Sequence, residues 1–164
     1  MKIYNYEVVF QEFPDEVTLA LNISNCPCHC KGCHSPFLAE NKGVKLNVRY
    51  LKKLIKENPG ITCVGFMGGD ADPGEVMQWA GWLREYDENL KIGWYSGRDS
   101  IPPNFNIMVF DYIKLGHYDK DRGPLTSKRT NQEMMKMTYK RDEDGMKYLD
   151  EIVDITPLFW KENP

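Results

Sequence analysis

Apolar and polar positions along the chain fall into two periods. Residues 17–24, VTLALNIS, alternate Val17, Leu19, Leu21 and Ile23 against Thr18, Ala20, Asn22 and Ser24, the two-residue period of a strand with one buried face. The preceding run KIYNYEVVF is also rich in strand formers, and Pro14-Asp15 between the two runs supplies a turn. An antiparallel hairpin is therefore expected at the start of the chain. Helical spacing takes over at Asn47, which can cap a helix carrying Val48, Leu51, Leu54 and Ile55 until Asn58-Pro59-Gly60 ends it.

A strand, ITCVGFM, follows and runs into Gly68-Gly69-Asp70. A second helix is predicted from about Pro73, with Val76, Trp79, Ala80 and Leu83 on one stripe. KIGWYSG and MVFDYIKLG then read as two further strands. Strands alternating with helices predict βα units and a mainly parallel sheet. Residues 116–147 are polar, with at most one short helix around Gln132–Lys136, and LDEIVDI at 149–155 supplies a last edge strand or short helix. No internal repeat or linker stands out, so residues 1–164 are read as one domain.

Composition narrows the function classes. A hydrophobic content of 41% is ample for a packed core, while the 27% of charged residues are mixed in sign with a net charge of −3. No broad cationic face is expected, so nucleic acid is not the predicted partner. Apolar runs fall well short of the roughly 20 residues that cross a bilayer, and Met1-Lys2-Ile3-Tyr4-Asn5 has no apolar signal core. A cytoplasmic protein without membrane contact is expected.

Five cysteines are present, four of them between positions 26 and 33, too crowded for separate disulfides. In a reducing compartment such a cluster points to metal. Cys26, Cys30 and Cys33 stand at CxxxCxxC spacing directly after the most regular strand. A [4Fe–4S] cluster ordinarily takes four thiolates; three leave one iron open to chelation by amino and carboxylate groups. The competing reading is zinc, with Cys28 as a fourth thiol. Cys26-x-Cys28-x-Cys30 is a cramped bite, and no second cysteine pair exists elsewhere in the chain. Cys28 is therefore read as a non-ligand and Cys63 as a core residue. His34, directly after Cys33, is a candidate to line the site, whereas His29 and His117 read as loop residues.

Gly68-Gly69-Asp70 has two readings. It can be a tight turn, with Asp72-Pro73 starting the next helix. In a βα fold it also lies where loops build active sites, with glycines allowing close approach and Asp70 able to receive hydrogen bonds from an ammonium group. Lys114, in the strand DYIKLG, could meet a carboxylate or ribose; a solvated edge lysine is the plain alternative.

The cysteine spacing resembles the radical S-adenosylmethionine superfamily, whose hallmark is a CxxxCxxC loop after the first barrel strand. The residue before the third cysteine is often aromatic there. Gly32 in this chain instead resembles glycyl-radical activases of the anaerobic ribonucleotide reductase kind, where CxGC is frequent. Gly68-Gly69-Asp70 is similar to the superfamily's Gly-Gly-Glu/Asp-Pro motif, with Ala71 and Asp72 inserted before Pro73, which leaves open whether Asp70 or Asp72 faces the cofactor. Trp94-Tyr95-Ser96-Gly97 and the stretch Pro124–Gln132, ending in Asn131-Gln132, resemble further segments of those activases.

The resemblance implies a partial, open (β/α) barrel, because eight full units typically need about 250 residues. It also implies a [4Fe–4S] cluster on Cys26, Cys30 and Cys33, and S-adenosyl-L-methionine near Gly32, Cys33, His34, Gly68, Gly69, Asp70 and Lys114. Implied partners are the large glycyl-radical subunit of an anaerobic ribonucleotide reductase and an electron donor such as flavodoxin or ferredoxin. The implied chemistry is oxidoreduction without a side-chain general base. Two alternatives are an activase of another glycyl-radical enzyme such as pyruvate formate-lyase, and a non-enzymatic zinc-binding interaction module.

Overall fold

The computed structural model describes residues 1–161. Among the described residues, eight strands form one open sheet in the order β3-β1-β2-β4-β5-β6-β7-β8. Strand β1 (Lys2–Val9) pairs antiparallel with β2 (Thr18–Ile23), the expected hairpin, and on its other side with the two-residue β3 (Val44–Lys45). Strands β4 (Cys63–Met67), β5 (Lys91–Tyr95) and β6 (Tyr112–Leu115) extend the sheet from β2, all in parallel. Helix α1 (Val48–Glu57) links β2 to β4, and α2 (Pro73–Tyr86) links β4 to β5. Asn47 caps α1 by accepting from the Tyr50 N–H at 2.9 Å, and Asp72 caps α2 by accepting from Glu75 N–H at 3.0 Å.

The expectation of a mainly parallel sheet is corrected. Only the three pairings among β2, β4, β5 and β6 are parallel; the other four are antiparallel. After β6 the described residues add no further βα unit. It returns as a hairpin of β7 (Glu133–Arg141) and β8 (Lys147–Asp154). The short helix expected around Gln132–Lys136 is thus a strand: Met134, Met135 and Lys136 pair with Lys114, Ile113 and Tyr112. Methionine and lysine favour helices in isolation, but the open edge of β6 and burial of Met134 and Met137 decide here. The strand expected across 108–116 is also shorter, because Ile107–Val109 form a single 3-10 turn whose Met108 N–H donates to the Asn106 side chain.

Two apolar layers follow from the two-residue period. Leu19, Leu21, Ile23, Val64, Phe66, Ile92, Trp94 and Ile113 lie in one buried cluster with Leu51 and Leu54 of α1 and Val76, Ala80 and Leu83 of α2. Both crossovers join neighbouring parallel strands, and right-handed connections bring both helices to that face. On the opposite face Phe13, from the β1–β2 turn, packs with Cys63, Tyr112, Leu125, Met134 and Ile155. Gly65 and Gly93 are cross-strand neighbours, and a β-carbon on Gly93 would lie 2.1 Å from the Phe13 ring. The missing side chains make the slot that Phe13 fills.

Candidate functional site

The four parallel strands end on the same side, and each delivers a loop. β2 leads into the cysteine segment, β4 into Gly68-Gly69-Asp70, β5 into Ser96-Gly97-Arg98, and β6 into Gly116-His117. Loops at the carboxyl ends of parallel strands are the usual position of a binding site in such sheets.

Three left-handed residues fold the cysteine segment, Asn25 (φ 65°), His29 (φ 45°) and Gly32 (φ 79°). Gly32 supplies its turn at no steric cost, and the Cys33 N–H donates to the Cys30 carbonyl at 3.1 Å across it. Cys26 is fixed by donating its N–H to the Leu38 carbonyl at 2.9 Å. The Cys33 sulfur accepts from the Ser35 N–H at 3.4 Å. All five cysteines are free thiols; those at 26, 28, 30 and 33 are half-buried and Cys63 is fully buried in the core. His34 is exposed.

Asp70 organises the neighbouring loop. Its side chain is 2% exposed, and its carboxylate accepts from the Ser96 hydroxyl at 2.5 Å and the Gly97 N–H at 2.9 Å. Arg98 reaches the same carboxylate at 3.8 Å and donates to the Asp70 carbonyl at 2.7 Å. The group is therefore engaged by donors within the chain, while Asp72 is engaged at the helix cap. Gly68 and Gly69 adopt φ of 104° and 90°. A β-carbon on Gly69 would come within 2.4 Å of Val76, so this glycine also lets α2 pack against the turn.

Cys28 joins the two halves of the site. Its sulfur lies 3.9 Å from the Asp70 carboxylate, and a β-carbon on Gly97 would be 2.6 Å from it. Burial, then the Asp70 charge and the thiols of Cys26 and Cys30, push the Cys28 thiol up to about 12, so at neutral pH it stays protonated. Lys114 is 8% exposed and donates to the carbonyls of Gly116 at 2.6 Å and Ser96 at 3.4 Å. Burial lowers its ammonium to about 8, against the opposing pull of Asp70, Cys30 and Cys28. It is an enclosed cation under the loops, not the solvated edge lysine.

The stretch 116–132 closes the other side. Asn131 donates to the His117 carbonyl at 3.0 Å and Gln132 to that of Gly116 at 3.3 Å. His117 bonds Asp99 through both its backbone N–H and its Nδ1, at 3.1 and 2.7 Å. These bonds hold the Asp99 carboxyl below its ordinary value. A cavity of about 450 Å³ lies between this corner and Cys28, Cys30 and Lys31, with Tyr118 and Lys120 on its rim. Arg98, Asp99 and His117 act across loops, and no local pattern in the sequence marks them.

Among the described residues, no three His, Cys, Asp or Glu side chains are drawn together closely enough to hold a metal ion. The donor chemistry nevertheless suits a thiophilic centre: Cys26, Cys30 and Cys33 share one loop, are half-buried, and are tied into no disulfide. No protein-family profile, curated protein or solved structure matches the chain.

Proposed function

We propose that this chain is a radical S-adenosylmethionine enzyme with a partial, open (β/α) barrel. Its function would be that of the anaerobic ribonucleoside-triphosphate reductase activating protein. The observation that carries the reading is the CxxxCxxC loop standing at the carboxyl ends of four parallel strands, beside the loops of Asp70 and Lys114. Cys26, Cys30 and Cys33 would hold a [4Fe–4S] cluster, leaving one iron for S-adenosylmethionine. Bound there, the two would supply one-electron reductive carbon–sulfur cleavage, the chemistry needed to remove a hydrogen atom from a glycine Cα of the reductase.

The chain's own residues orient and enclose that chemistry. Gly32 turns the backbone between the second and third thiols. Asp70 fixes the Ser96–Gly97 turn against Cys28. Lys114 places a positive charge beneath the loops, where an anionic group is favoured. Asn131 and Gln132 hold the corner that faces the cysteines. The cavity lined by Cys28, Cys30, Lys31 and residues 117–121 is open to solvent, and a glycine-bearing loop would enter there.

The test is anaerobic incubation with S-adenosylmethionine and dithionite after iron–sulfur reconstitution, with 5′-deoxyadenosine measured by chromatography. Turnover in the wild type and its loss in Cys30→Ala are expected, with a glycyl-radical signal when the reductase is added. Tight zinc binding with no cleavage would replace this reading with the zinc-binding module.

A further inference from the structure

The loop between β6 and β7 carries a second concave feature, which shares Lys120 and Asp121 with the first. A groove of about 900 Å³ is lined by Lys120, Arg122, Lys128, Arg129 and Lys161, with Asp121 the one carboxylate among its lining residues. This concentration of positive charge stands out in a chain whose net charge is −3. Arg122 leans on Asp119 at 3.5 Å, and the Arg129 guanidinium donates to the Asp121 carbonyl. Lys120 and Lys128 have no ion-pair partner among the described residues.

The groove is built by its own backbone. The Ser127 N–H donates to the Pro124 carbonyl at 2.9 Å, Thr130 N–H to Ser127 at 3.1 Å, and Gly123 N–H to Asp119 at 2.8 Å. Lys161, from beyond β8, is joined to the loop through its N–H on the Thr126 carbonyl at 3.0 Å. The loop backbone around the concavity is thus preformed, which lowers the ordering cost of binding.

The lining is polar as well as cationic. Pro124 is its one apolar side chain, so it lacks the aromatic or aliphatic anchor on which protein–protein contacts depend. Guanidinium forks, ammonium groups and the hydroxyls of Thr126 and Ser127 are what a chain of phosphates takes. We propose that this groove binds an oligophosphate, either the triphosphate of a nucleotide or a free polyphosphate. The proposal does not depend on the iron–sulfur reading.

Calorimetric titration of the intact chain with inorganic tripolyphosphate and with ATP, at low ionic strength, tests it. Saturable one-to-one binding of tripolyphosphate is expected, weakened about tenfold or more by Lys128→Glu, the loss of one charge-assisted contact. The control Lys53→Glu, at an exposed position of α1, should bind as the wild type does, and added salt should weaken binding. Equal affinity for ATP and tripolyphosphate identifies the phosphate chain as the ligand; tighter ATP identifies a nucleotide. Absence of saturable binding, equal losses in Lys128→Glu and Lys53→Glu, or tighter binding of polyglutamate than of tripolyphosphate would overturn the proposal. Circular dichroism of each variant separates lost binding from lost fold.

Discussion

Replacing Asp70 with alanine removes the carboxylate that ties the β4 turn to the β5 loop. Two donors lose their acceptor inside the protein, the Ser96 hydroxyl at 2.5 Å and the Gly97 N–H at 2.9 Å. Hydrogen bonds to a charged group contribute about 1.5–3 kcal/mol each. The contact with half-exposed Arg98, at 3.8 Å, adds little because water screens it. The expected loss is therefore about 3–6 kcal/mol, the two hydrogen bonds together. For a chain of this size that is a fall of roughly 10 °C in Tm. Asp70→Asn keeps one acceptor oxygen and should lose about half as much. Urea unfolding followed by tryptophan fluorescence measures both, with an unchanged m-value showing that stability alone moved. A loss under about 1 kcal/mol for Asp70→Ala, or equal losses for both variants, would refute the claim that these hydrogen bonds hold the loops.

Lys114 should leave a signature in the pH dependence of stability. Its folded-state ammonium, near 8, lies below the ordinary value of 10.5, so between those values the unfolded chain binds the extra proton and stability rises with pH. Relative to Lys114→Met, the wild type should gain about 2 kcal/mol as pH rises from about 8 to 10; a flat difference in urea unfolding across that window would contradict the buried placement. Gly93→Ala drives a methyl into the Phe13 ring and should cost about 1–3 kcal/mol by thermal unfolding. Phe13→Leu in the same chain should recover part of that loss, and additive losses would show that the two residues do not meet.

Much of the architecture was legible because one face of each central element is buried. The alternation at 17–24 and the stripes after Asn47 and Pro73 each became the expected strand or helix. The sequence 132–141 was not legible, since Met134, Met137 and their lysine neighbours carry a helical bias that pairing with β6 overrides. The two residues of β3 are likewise set by contact with β1. In the site, the cysteine loop and the Gly-Gly-Asp turn could be located by strand order alone. The engagement of Asp70 with Ser96 and Gly97, and of Asn131 and Gln132 with the β6 corner, depends on side chains meeting across loops. No spacing in the chain encodes those meetings.

The central claim is that Cys26, Cys30 and Cys33 hold an iron–sulfur cluster while Cys28 does not. Anaerobic reconstitution followed by iron and sulfide analysis, with EPR of the reduced protein before and after adding S-adenosylmethionine, tests it most directly. The account predicts about four irons per chain in the wild type and in Cys28→Ser, a reduced-cluster signal that S-adenosylmethionine perturbs, and loss of the cluster in Cys30→Ser. Zinc without iron, or a cluster lost in Cys28→Ser and kept in Cys30→Ser, would contradict it.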